Sequence, residues 1–131
     1  MDDIRYKENG LDCVIRENHF GYLCGYIFIP EDHPERNSEL ENIDVHGGIT
    51  YKDVELFNVI NSGKGIWIGF DCAHYGDSSN PELRSSIIDF PNSTYKDIAY
   101  VRNEISNIIK QVGGYTINYY SKPEFVIDLP L

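Results

Sequence analysis

Two short stretches concentrate the side chains that do chemistry. In Asp71-Cys72-Ala73-His74-Tyr75-Gly76-Asp77 a carboxylate, an imidazole and a second carboxylate follow one another three residues apart. The other stretch is His46-Gly47-Gly48, with Thr50 just beyond it. Imidazoles titrate near neutral pH and carboxylates are charged there, so the mixture suits proton transfer or hydrogen bonds to ribose and base edges. It also suits coordination of a divalent ion such as zinc or manganese, which would activate a water for hydrolysis. Glycines let a backbone approach a ligand closely and present N–H groups to an anion. If the two stretches meet, His46, Asp71, His74 and Asp77 converge. They are then catalytic groups in an enzyme, or, together with Gly47, Gly48, Thr50 and Trp67, the lining of a binding site. A plainer reading stands beside this one: Asp71 caps the turn after its strand, His74 rests between Trp67 and a carboxylate, and the glycine pair marks a bulge.

Other residues offer recognition without a reaction. Trp67, Tyr22, Tyr26 and Tyr75 could stack on a purine, and Arg16, Arg84 and Arg102 could pair with phosphates. Core packing and solvation are the ordinary fates of such side chains. Neither a phosphate-binding P-loop nor a Gly-x-Gly-x-x-Gly turn is present, and no nucleophile elbow is visible. Cys13, Cys24 and Cys72 are odd in number and irregularly spaced, which reads as buried free thiols rather than a disulfide framework or zinc knuckle.

The elements that must position these residues can be read from periodicity. Asp12 to Asn18 and Gly21 to Ile29 are β-rich runs on either side of Asn18-His19-Phe20-Gly21, which has turn chemistry, so a hairpin is expected. Glu31 to Asp44 is acidic and polar and reads as an exposed loop. A strand interrupted by the glycine pair is expected from Ile43 to Tyr51. Lys52 to Ile60 is ambiguous between helix and strand. Ile66 to Asp71 is a strong strand with Trp67 and Gly69 on one face and Ile68 and Phe70 on the other. Thr94, with Asp97 three residues on, predicts a helix start. Ile98, Val101, Ile105, Ile108, Ile109 and Val112 keep helical spacing, and Gly113-Gly114 closes a helix of about five turns. Tyr115 to Tyr120 and Phe125 to Leu129 read as further strands. The sum is an α+β domain, residues 1–131, with a mainly antiparallel β-sheet packed against one long helix in the C-terminal half.

Length and charge limit the functions available. A chain of 131 residues supports one core. Eleven Lys and Arg against 21 Asp and Glu give a net charge of −10, which argues against direct nucleic-acid binding. Small ligands remain, as does mimicry of nucleic acid by the acidic loop. No run approaches the roughly 20 apolar residues of a membrane span, and Met1-Asp2-Asp3-Ile4-Arg5 does not open like a secretory signal. The expected location is therefore a cytoplasm.

The motifs in combination resemble a family of small phage and prophage proteins. The resemblance rests on Gly21-Tyr22-x-Cys24-Gly25-Tyr26, His33-Pro34, Val45-His46-Gly47-Gly48-Ile49-Thr50-Tyr51, Trp67-Ile68-Gly69-Phe70-Asp71-Cys72-Ala73-His74-x-Gly76-Asp77 and Tyr95-Lys96-Asp97-Ile98-Ala99-Tyr100-Val101. It spans Cys13 to Val112, without Asn58 to Lys64 or the acidic loop. It implies an accessory viral protein acting in a bacterial host cytoplasm, of the kind that opposes host defence. Joined to the residue reading, it leads to a counter-defence protein that binds and sequesters a small nucleotide-type signal, as a homo-oligomer with pockets near subunit contacts. A hydrolase or phosphodiesterase using the same His and Asp residues, with or without a divalent metal, is the second reading. An acidic mimic that blocks a nucleic-acid site on a host enzyme is the third.

Overall fold

The computed structural model describes residues 1–61, 63–82 and 92–115. Its centre is a five-stranded antiparallel sheet built from β1 (Ile4–Glu8), β2 (Leu11–Glu17), β3 (Leu23–Pro30), β4 (Tyr51–Asp53) and β5 (Gly65–Asp71), in the order β1-β2-β3-β5-β4. Among the described residues one α-helix, α1 (Ile98–Val112), packs on one face. The α+β architecture expected from the pattern is the one observed.

The hairpin of β2 and β3 pairs Cys13 with Ile27 and Glu17 with Leu23, and β5 lies antiparallel to β3 with Asp71 opposite Cys24. Alternation then sorts the side chains. Ile15, Ile27, Ile68 and Phe70 face α1 and meet Val101, Ile105, Ile108 and Ile109 in the main core. The helix comes very near at Gly25. A Cβ there would stand 2.6 Å from the Phe70 ring and 3.2 Å from Ile105 Cδ1, so only glycine fits. On the opposite face Val14, Phe28 and Trp67 form a second, smaller cluster with Leu56.

Several local expectations are corrected. The helix begins later than the Thr94 start predicted. Asp97 is its N-cap, accepting from the Tyr100 backbone N–H at 2.9 Å, while Thr94–Tyr95 forms a short strand, β7, parallel to β6 (Asp77–Ser78). At 15 residues α1 makes about four turns. The stretch from Ile43 to Thr50 is a loop rather than a strand, because positive φ at Gly47 and Gly48 turns the chain and pairing with β5 starts only at Tyr51. The ambiguous segment after β4 is neither helix nor long strand; it folds over the second sheet face and seats Leu56 there. The acidic segment is a loop containing a 3-10 turn (Leu40–Asn42), but it is anchored. Leu40 is buried in the main core, and buried His33 places Nε2 3.0 Å from the Gly113 carbonyl oxygen. Since His33 Nδ1 accepts from the Glu35 N–H, the proton sits on Nε2, which donates to that carbonyl. The first strand, β1, was not anticipated. The strands expected over Tyr115 to Tyr120 and Phe125 to Leu129 lie outside the described residues apart from Tyr115.

All three cysteines are free and buried. Burial pushes the thiols of Cys13 and Cys72 up to about 12. Among the described residues, no helix is long and apolar enough to cross a membrane.

Candidate functional site

The loop that carries His46 is fixed to α1 by a line of polar side chains. Glu104 Oε1 accepts the His46 backbone N–H at 2.9 Å, and Gln111 Nε2 donates to the Asp44 carbonyl at 2.7 Å. Tyr100 places its hydroxyl 2.7 Å from His46 Nδ1. Tyr100, Glu104 and Gln111 recur at i, i+4 and i+11, which is one stripe of a helix beside the apolar stripe. Val45, buried in the main core, anchors the same loop from below.

The second stretch begins where β5 ends. The Asp71 carboxylate closes the turn by accepting the Ala73 N–H at 3.1 Å and takes the Thr50 hydroxyl at 3.0 Å. The turn then brings the Asp77 N–H to the His74 carbonyl, and β6 leads back beside β7. Asp77 is consequently pulled inward; its side chain is 1% exposed.

Here the two stretches meet. His46 Nε2 lies 2.8 Å from Asp77 Oδ2, the same oxygen that accepts the His74 backbone N–H at 3.0 Å. Lys96 places its ammonium 3.0 Å from the other oxygen, Oδ1. Burial alone would raise the Asp77 carboxyl, but His46, the His74 N–H and Lys96 outweigh it and hold it below the ordinary carboxylate range. The His74 ring, 38% exposed, has Nδ1 3.4 Å from Asp71 Oδ1 and 4.0 Å from Asp77 Oδ2. The two imidazoles stand edge to face with centroids 6.0 Å apart.

Gly47 makes room for this arrangement. Its φ is +69°, and a Cβ built there would fall 2.7 Å from His74 Nδ1 and 2.8 Å from Nε2. Gly48 has a similar φ, +79°, but open space around it. The glycine pair therefore does two jobs: both residues turn the loop, and the first also lets an imidazole lie against the backbone.

Of the residues anticipated from sequence, His46, Gly47, Thr50, Asp71, His74 and Asp77 gather at this corner, and Gly48 borders it. Trp67 does not belong to the site. It is 1% exposed on the far sheet face, where its indole N–H donates to Asn61 Oδ1 at 2.7 Å. The reason is strand alternation, which sends Trp67 and Phe70 to opposite sides of β5. Tyr26 shares that far face with Tyr51. Arg16 is also there, bonded to Asp3 at 2.7 Å and to the Phe57 carbonyl at 2.6 Å. Arg102 lies over the Tyr6 ring, 4.1 Å from its centroid. Arg84 lies outside the described residues.

Tyr100, Glu104 and Lys96 were not anticipated. The signal for the first two was the polar stripe on α1; nothing short of the fold assigns Lys96 to Asp77. One ring nitrogen from each of His46 and His74 and a carboxylate oxygen of Asp77 all lie within 4.8 Å of one another, a grouping with the chemistry of a metal centre or of a proton-transfer cluster. Comparisons with protein-family models, with curated proteins and with solved structures found no match for this chain.

Proposed function

We propose that this protein hydrolyses a phosphodiester bond in a small nucleotide-type signal, with the reaction at the His46–His74–Asp77 corner. The observation that carries this reading is the convergence of two imidazoles on one buried carboxylate beside a ring open to solvent. Such groups hold and deprotonate water near neutral pH. In the net reaction a water oxygen bonds to phosphorus, the bond from phosphorus to the leaving oxygen breaks, and the proton lost by water ends on that oxygen.

Simple capture of the nucleotide, the first expectation from sequence, is less well supported. Arg16 and Arg102, two of the three arginines proposed to take phosphates, are engaged away from the corner. The setting we propose is the one the resemblance implies, a viral accessory protein that removes a host defence signal in a bacterial cytoplasm. It acts as a homo-oligomer whose second subunit encloses the site, which light scattering of the purified protein checks.

The test is incubation of the protein with a panel of cyclic and linear nucleotides, followed by heat denaturation and mass spectrometry of the supernatant. A cleaved nucleotide is expected, with turnover reduced at least about 100-fold in His74→Ala and the melting temperature little changed. Intact nucleotide released on heating would replace hydrolysis with capture. No uptake and no cleavage across the panel would remove both and leave the acidic mimic.

A further inference from the structure

We infer that His46, His74 and Asp77 form a binding site for a single zinc-like divalent ion, with coordination positions left open on the solvent side. This deepens the hydrolase reading, because it supplies what that reading lacks: a positive centre for an anionic substrate. Around the cluster stand the carboxylates of Asp77, Asp71 and Glu104, and the ammonium of Lys96 is already paired with Asp77. The corner thus attracts a cation and, without one, repels phosphate.

The donor set favours a transition-metal ion over magnesium. Two imidazole nitrogens and one carboxylate oxygen are the ligands of open, catalytic zinc sites, whereas magnesium prefers oxygen donors. Zinc at ~2.1 Å from each ligand sets neighbouring ligand atoms roughly 3.4 Å apart. The three donors lie within 4.8 Å; His46 Nε2 and Asp77 Oδ2, 2.8 Å apart, separate slightly, while the half-exposed His74 ring moves inward by rotation over Gly47. His46 is held for this role. With Nε2 on the ion, its proton moves to Nδ1, which donates to the Tyr100 hydroxyl at 2.7 Å, the type of outer bond that fixes the tautomer of a ligating histidine. Asp71, 3.4 Å from His74 Nδ1 and bonded to Thr50, steers the ring from outside the donor set. A zinc-bound water has its pKa lowered to about 7 and so provides hydroxide at neutral pH.

The experiment is a calorimetric titration of the metal-stripped protein with Zn²⁺, repeated with Co²⁺ to read the ligand field and with Mg²⁺ as a control. One Zn²⁺ per chain is expected, with Mg²⁺ at least about 100-fold weaker. His74→Ala and His46→Gln should each weaken Zn²⁺ by at least about 100-fold, while His19→Ala and His33→Gln leave it unchanged. Circular dichroism of every variant identifies any that fails to fold, and His74→Ala, at a half-exposed position, serves as the decisive one. Absence of a one-to-one Zn²⁺ site, or affinity unaltered by His74→Ala, overturns the proposal. Zn²⁺ binding without cleavage of any nucleotide keeps the site and removes the hydrolase; cleavage that survives exhaustive chelation keeps the hydrolase and removes the ion.

Discussion

At the residue scale, the decisive position is Gly47. Gly47→Ala and Gly48→Ala both place a Cβ at positive φ, a strain of about 1–2 kcal/mol, but only the first drives that Cβ into the His74 ring. Urea melts should therefore show similar losses of stability for the two variants. Zn²⁺ affinity and turnover should fall at least about 10-fold more in Gly47→Ala, and equal effects would show that His74 does not need its place over the backbone. The cysteines give a second residue-level test. With Cys13 and Cys72 raised to about 12 by burial, their thiolate fraction at pH 8 is negligible, and Cys24, raised for the same reason, is shielded by its burial. Iodoacetamide should label none of the three within minutes in the native protein and all three in guanidinium. Rapid native labelling of any of them would contradict the burial seen here.

At the element scale, α1 carries two stripes with separate duties. Its isoleucines hold it to the sheet, and Tyr100, Glu104 and Gln111 hold the His46 loop to it. Ile105→Ala, fully buried against Phe70 and Gly25, should cost about 2–5 kcal/mol in a urea melt, and Asp97→Ala about 1 kcal/mol through loss of the N-cap. The isoleucine stripe was legible because it repeats at helical spacing, and the hairpin of β2 and β3 was legible because β-rich runs flank a turn. The β1–β2 hairpin carries an equally strong local signal: Asn9-Gly10, both with positive φ, is the strongest short hairpin pair. The candidate site was half legible. The pairing of His46 with Asp77 could be expected from residue type, but the loop holding His46 has no periodicity. Its place is set by side chains 54 to 67 residues further along the chain, which no local pattern reveals. Trp67 misled because aromatic chemistry suggests a binding wall, while the parity of its strand position placed it in the second core.

At the scale of the whole molecule, the two sheet faces are closed in different ways, one by α1 and the other by the segment after β4. That second cover is fastened by Arg5 to the Asn58 carbonyl and by Arg16 to the Phe57 carbonyl, and Arg16 is in turn paired with Asp3. The hydrogen bond from Arg16 holds the Asp3 carboxyl below its ordinary value, although partial burial pulls the other way. A group depressed in the folded state stabilises fully above its unfolded pKa, about 3.9, and loses that contribution as pH falls through the lower folded value. The stability difference between the protein and Asp3→Asn should thus be constant from about pH 7 to 5 and shrink below about pH 4 in urea melts. A difference independent of pH down to 2 would mean that the pair does not fasten the cover.

The inward pull on Asp77 has a consequence for motion. Its carboxylate is gripped at once by the loop before β4, the turn after β5 and the lysine ahead of α1, so the three stretches separate only if that one anion lets go. Amide hydrogens in all three should then exchange with deuterium at a common rate through a shared opening, and an occupied corner should slow them together.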